Sequence, residues 1–221
     1  MGKDKLRRFA ENETFPNMFQ QQYEELQTSG GFPLKGKWKQ EFFKNDNPLV
    51  LELGCGKGEY TVGLGEKYPN KNFIGMDIKG ARMWRGCKTS IDENMNNIAF
   101  VRSHVQLIDM YFAENEVDEI WITFPDPQLK KPNKRLTSAR FLNRYKKVLK
   151  KNGIMHLKTD SFELYDYTVN EVLIPNKNKI HFHSPDLYNS GFNDDVIGIK
   201  THYEGIYLSQ GKPITYIKFE L

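Results

Sequence analysis

Three carboxylates and one run of glycines carry most of the chemistry this sequence offers. Leu51-Glu52-Leu53-Gly54-Cys55-Gly56-Lys57-Gly58 sets an acid just ahead of a turn with glycines at two-residue spacing. Glycine lets backbone approach a ligand closely, because no Cβ stands in the way. A pyrophosphate-binding fingerprint needs G-x-G-x-x-G, and here Gly58 comes one residue early. Glu52 would repel a phosphate but would suit a cation such as an ammonium or a sulfonium. Asp77 closes a second apolar run, where a carboxylate can accept from both hydroxyls of a ribose.

The third acid, Asp126, sits between prolines in Phe124-Pro125-Asp126-Pro127. Each proline restricts itself and the residue before it, so this carboxylate is conformationally pinned. A cationic loop follows directly, Gln128-Leu129-Lys130-Lys131-Pro132-Asn133-Lys134-Arg135-Leu136. At the glycine turn, Glu52 and Asp77 together suit a ribose-bearing cation best, and S-adenosylmethionine is the ligand these two acids match. A nicotinamide or flavin dinucleotide site, or a strand-turn-helix with no ligand, are the other readings of the turn.

These groups need elements to hold them. Short apolar runs at 49–53, 72–77, 98–101, 120–124 and 154–158 read as strands. Helical stretches at 59–67 and 81–94 alternate with them. Thr137 or Ser138 can cap a further helix, whose apolar residues Phe141, Leu142, Tyr145, Val148 and Leu149 share one face. Its expected stop is Asn152-Gly153, with the glycine left-handed. Residues 161–173 read as another helix, and 179–183 and 213–221 as closing strands. Strands alternating with helices predict an α/β fold with a mostly parallel sheet covered on both faces. Ligands of such sheets bind at the C-terminal strand ends. Residues 1–47 are polar with scattered aromatics and read as an N-terminal extension to a domain spanning 48–221.

Composition narrows the class. Of 221 residues, 38% are hydrophobic and 27% charged, the balance of a soluble globular chain. No apolar run approaches the ~18 residues of a membrane-spanning helix. No apolar stretch follows the charges of Met1-Gly2-Lys3-Asp4-Lys5, so a cytoplasmic protein is expected. Cys55 and Cys87 are too few for a disulfide scaffold and read as packing residues. His181 and His183 could share a strand face, but a third metal ligand is not apparent, so no metal is expected.

Net charge is +4, yet Asp126 to Lys151 holds ten basic residues and one acid. That strip carries about +9, which leaves roughly −5 for the rest of the chain. A cationic strip on a mildly acidic body points to a polyanionic partner or, more blandly, to a solvated helix face.

The glycine turn with Glu52 and Asp77 resembles the class I S-adenosylmethionine-dependent methyltransferases, whose Rossmann-like sheet ends in an antiparallel strand. With Phe124-Pro125-Asp126-Pro127, the basic loop, Leu157-Lys158-Thr159-Asp160 and Thr201-His202-Tyr203-Glu204, residues 48–221 resemble the bacterial tRNA (guanine-N7-)-methyltransferases, which act on guanine 46 of the variable loop. The resemblance implies that Glu52, Gly54, Gly56, Asp77, Ser103 and Asp126 line the cofactor site, with Asp126 also the catalytic candidate. It implies that Lys130, Asp160, Thr201, His202, Tyr203 and Glu204 hold the substrate. Lys131, Pro132, Asn133, Lys134, Arg135, Leu136 and Thr137 would touch tRNA. Three positions depart from the family pattern. Ser103 replaces an aspartate or asparagine, Gln128 a tryptophan, and Pro132 an arginine or histidine. Competing functions are a methyltransferase of the same fold acting on other RNA or on protein, a dinucleotide oxidoreductase, and a non-catalytic RNA-binding module.

Overall fold

The structure, a computed structural model, describes residues 3–192 and 195–221; Met1 and Gly2 lie outside the described residues. The central strands are β2 (Leu49–Leu53), β3 (Asn72–Asp77), β4 (Ile98–Arg102), β5 (Val117–Thr123) and β6 (Leu149–Thr159). With β1 (Met18–Phe19), β7 (Ile180–Ser184) and β8 (Thr215–Glu220) they form one sheet in the order β1-β4-β3-β2-β5-β6-β8-β7. Only β8 runs against its neighbours.

All five residues of β2 are buried, as a central parallel strand with both faces covered requires. Leu49, Leu51 and Leu53 enter one apolar cluster and Val50 another, because successive side chains leave a strand on opposite faces. Helices α3 (Glu59–Lys67), α4 (Gly80–Asp92) and α6 (Ala139–Val148) supply the crossovers. On α6, Phe141, Leu142, Tyr145 and Val148 are buried along the expected stripe, and Ser138 stands at its N-cap. α7 (Phe162–Asp166) continues into a widened π-helical stretch, Tyr167–Leu173.

The end of α6 differs from the sequence expectation. The helix stops at Val148, and Leu149 already opens β6, paired with Val117 of β5. Asn152, at φ +60°, makes the left-handed turn instead of Gly153. Asparagine tolerates that conformation. Gly153 is needed for space: a Cβ there would lie 2.5 Å from Leu149 Cγ.

Residues 3–47 join the body more closely than their polar texture indicates. Met18 and Phe19 extend the sheet beside β4. Trp38, fully buried, donates its indole N–H to Tyr111 O at 2.9 Å and packs among Phe19, Phe32, Phe42 and Phe112. α1 (Lys3–Asn12) docks on α4 through Trp84 Nε1 to Glu11 Oε2 (2.6 Å) and Asn12 Nδ2 to Gly80 O (2.9 Å). A short α2 (Tyr23–Ser29) connects these pieces. The aromatics were visible in sequence, but no helical or strand period ordered them.

Candidate active site

Strand order reverses between β2 and β5, so the segments leaving those two strands flank one crevice. From β2 comes the glycine turn; from β5 comes Phe124-Pro125-Asp126-Pro127. A cleft of about 690 Å³ opens there, bounded by Glu52, Gly54, Gly56, Asp77 and Asp126. Two motifs separated by some seventy residues therefore meet because parallel neighbours end at the same edge.

Gly54, Gly56 and Gly58 all have positive φ (+78°, +57° and +74°). At Gly56 a Cβ would meet nothing within 4 Å, so conformation alone demands glycine there and leaves the backbone open. At Gly58 a Cβ would come 2.6 Å from the Phe100 ring, so the early third glycine serves close packing at the start of α3. Asp77 Oδ2 accepts the Gly56 N–H (2.9 Å) and Oδ1 the Lys79 N–H (2.8 Å), which ties the end of β3 to the turn.

Glu52 is only 3% exposed at the cleft floor. Its Oε2 accepts from the Thr61 N–H (2.8 Å) and the Thr61 hydroxyl (2.5 Å), and its Oε1 accepts from Thr123. Among the described residues it forms no ion pair. Burial pushes its carboxyl up to about 7, against the three hydrogen bonds that favour the anion, and the Asp77 charge adds to the rise. A buried carboxylate with no counter-charge, facing a cleft, is built to receive a cation. The acid set thus fits a ligand that combines positive charge with a ribose.

Asp126 is exposed to the cleft, and its Oδ1 accepts the Gln128 N–H at 3.0 Å. Phe124 (φ +45°) and Gln128 (φ +46°) bracket the loop in left-handed conformations that non-glycine residues rarely adopt. The Phe124 N–H is anchored on Lys158 O at 2.8 Å. Such strain persists where surroundings over-determine it, and it concentrates at working loops.

The remaining expected residues divide. Thr201 and Tyr203 reach the cleft from the start of α8 (His202–Ser209), as do Lys134 and Leu136 from the basic loop. Ser103 does not line it; His104, Val105 and Gln106 do. Lys130, Lys131, Pro132 and Asn133 are exposed outside the lining, the last two in the turn Pro132–Lys134. His202 is exposed, its N–H on Glu59 Oε2 (3.2 Å). Asp160, half-buried outside the lining, has its carboxyl raised by burial.

Three of the expected residues are buried against the protein's own groups. Glu204, expected to hold substrate, is fully buried: Oε1 meets Lys158 Nζ (2.7 Å) and the Tyr188 hydroxyl (2.6 Å), and Oε2 accepts the Thr201 N–H (3.3 Å). Arg135, 7% exposed, stacks 4.2 Å over Tyr167 and donates to Pro127 O (3.1 Å). Thr137 is buried against the Thr168 hydroxyl at 2.7 Å. All three side chains are buried here, engaged by the protein's own groups. Sequence reading in turn missed Thr61, Thr123 and Tyr207, and gave Lys158 no role of its own. Tyr207 lies four residues after Tyr203 and so shares its helix face, a signal that was legible.

His181 and His183 pair with Glu220 (2.7 Å) and the Tyr165 hydroxyl (2.7 Å), and no cluster of metal-ligating side chains occurs among the described residues. Among them, too, no helix is long and apolar enough to cross a membrane.

A family model described as "Putative methyltransferase" matches residues 46–217. A tRNA (guanine-N(7)-)-methyltransferase from Christiangramia forsetii is 56% identical, covering 99% of this chain and 98% of its own length. The chain belongs to the tRNA (guanine-N(7)-)-methyltransferase family. Another member, from Porphyromonas gingivalis, is 56% identical over 95% of this chain and 86% of its own. The fold extends further, to a solved 16S rRNA methyltransferase, KamB, at 14% identity with TM-score 0.63, covering 84% of this chain and 93% of that one. As a member of this family the protein is a methyltransferase. Its sheet, with one antiparallel strand near the C-terminus, is the class I methyltransferase arrangement.

Proposed function

We propose that this protein methylates N7 of guanine in tRNA, at position 46 of the variable loop, using S-adenosylmethionine. The observation that carries the proposal is the pairing of a buried, uncompensated Glu52 with an exposed, proline-held Asp126 across one cleft. Residues 48–221 supply the chemistry, with 3–47 packed on them, and the cytoplasm, where tRNA resides, is the site of action.

S-adenosylmethionine supplies an electrophilic methyl group on a sulfonium. Asp77 would accept from its ribose hydroxyls, the Gly54–Gly56 backbone would lie against it, and the Glu52 carboxylate would answer its positive charge. Guanine N7 carries a lone pair and no proton, so no base is required for attack. Orientation then accounts for much of the rate. Methylation leaves positive charge on the purine, and Asp126, fixed before the reaction begins, would stabilise that charge as it develops. Thr201 and Tyr203 on one side and Lys134 on the other border the space in which the base would sit.

The test is mass analysis of nucleosides from tRNA lacking this modification, after incubation with the protein and S-adenosylmethionine. 7-Methylguanosine at position 46 is the expected product. Label appearing only in ribosomal RNA, in protein or in another nucleoside would refute the assignment.

A further inference from the structure

A second cationic wall stands across the cleft from the basic loop. Lys79, Arg82 and Arg85 project at successive three-residue steps along the start of α4, and all three are exposed. From Ile78 to Ile91 the sequence contains no acid. Lys79 and Arg82 border the same cleft as Lys134, so cations line both rims around the acidic floor of Glu52, Asp77 and Asp126.

Like Lys130, Lys131 and Lys134 of the basic loop, this face lacks acidic partners among the described residues, whereas several other basic segments are neutralised. Arg7 pairs with Asp4 (2.9 Å) and Glu11 (2.5 Å), and Arg8 with Asp4 (2.8 Å), so the guanidiniums of α1 are neutralised where they pack on Trp84. In the sequence strip, Arg144 and Lys147 face Asp109 and Lys150 faces Asp118. Lys79, Arg82 and Arg85 form no ion pair among the described residues, and neither does the neighbouring Arg102. Like charges three residues apart on a helix repel, a cost to the free protein that a polyanion would reverse. The positive end of the thirteen-residue α4 adds to the same field.

We propose that Lys79, Arg82 and Arg85 form a second phosphate-binding wall, which holds the tRNA backbone on the side of the target nucleotide opposite the Lys130–Lys134 loop. The proposal rests on tRNA being the substrate. The field then sorts the parts of the nucleotide: cationic rims hold phosphates on both sides, the acidic floor repels them, and only the uncharged base is free to descend. Neither rim alone would fix the direction of the strand across the cleft.

The test is equilibrium binding of unmodified tRNA across a salt series, for the wild type and for the triple variant Lys79→Gln/Arg82→Gln/Arg85→Gln. Each phosphate contact contributes about 0.7–0.9 to the slope of log affinity against log salt, so the triple variant should flatten it by about 2. Affinity at physiological salt should fall at least tenfold. The charge-keeping variant Lys79→Arg/Arg82→Lys/Arg85→Lys should restore the slope. An unchanged slope, or a tRNA defect fully accounted for by lost S-adenosylmethionine affinity measured in parallel, would overturn the wall. Nucleoside analysis of the wild type reports separately on function. A flattened slope without 7-methylguanosine formation would keep the wall and remove the assigned reaction, whereas product formation with an unchanged slope would do the reverse.

Discussion

Lys158 Nζ and Glu204 Oε1 lie 2.7 Å apart, with both side chains fully buried. Lys158 also donates to Val196 O (3.0 Å) and Ile199 O (3.2 Å), while its own carbonyl holds the Phe124 N–H at the entrance to the Asp126 loop. One residue of β6 therefore anchors both sides of the acceptor region, the proline loop through its backbone and α8 through its side chain. Removing one member of a buried pair leaves the other uncompensated, at a cost of about 3–5 kcal/mol. Lys158→Met should lower unfolding free energy by that order, and Lys158→Met/Glu204→Gln should recover part of it in urea denaturation. Because α8 brings Thr201, Tyr203 and Tyr207 to the cleft, the single variant should raise KM for tRNA more than it weakens S-adenosylmethionine. Equal effects on both ligands would contradict this anchoring role.

Glu52 sets stability against binding. Its carboxyl stands near 7 in the folded chain against 4.5 when solvated. The native state therefore holds this proton more tightly, and the resulting stability is fully present below 4.5 and lost as pH rises to 7. Above pH 7 the buried anion costs on the order of 3 kcal/mol. Glu52→Gln keeps the shape and can keep the Thr61 and Thr123 hydrogen bonds. It should raise Tm at pH 8, change little at pH 4.5, and abolish cofactor binding.

The same group makes affinity for a cationic ligand depend on pH. A bound sulfonium or ammonium favours the ionised carboxylate, so affinity should strengthen as pH rises through 7. If only the anion binds, dissociation constants at pH 6 should be roughly tenfold those at pH 8, with close to one proton released per ligand at pH 6. Calorimetry in buffers of differing ionisation enthalpy measures that proton directly.

Asp126→Asn should separate chemistry from folding. Asparagine retains the Oδ1 that accepts the Gln128 N–H, so the loop and Tm should be preserved. The lost charge should lower the single-turnover methyl-transfer rate by about 10²–10³, the scale seen when one preorganised electrostatic group is removed. A rate within twofold of wild type would take Asp126 out of the mechanism.

The basic loop should divide by burial. Lys130, Lys131 and Lys134 are exposed, and their joint replacement by glutamine should flatten the salt dependence of tRNA binding by about 2. Arg135 is packed on Tyr167 and bonded to Pro127 O. Arg135→Ala should instead lower Tm while leaving the salt slope unchanged, because its cation is engaged in holding the loop.

Much of the fold was legible in the chain alone. The run Leu49–Leu53 is continuous and apolar, the stripe on α6 repeats at helical spacing, and glycine or proline marks several boundaries, so local rules suffice there. They failed at Leu149, where polar Lys150, Lys151 and Asn152 conceal a strand whose partner lies in β5. They failed again across residues 3–47, where aromatics without a period are ordered only by the surfaces they cover.

By itself the sequence determined the chemical inventory: Glu52 and Asp77 around a glycine turn, Asp126 between prolines, and a cationic strip. Residue type and near-neighbour spacing carry that information, because turns, caps and pinned loops depend on adjacent atoms. Only tertiary structure decided which members of the inventory line the cleft. Glu204 and Arg135 look like ligand-binding residues in one dimension, yet burial binds both to the protein's own groups. Lys79, Arg82 and Arg85 look like ordinary helix charges until the reversal of strand order sets their helix beside the cleft. The physical reason is that burial and charge pairing are set by groups distant in the chain, and no local pattern encodes who those partners will be.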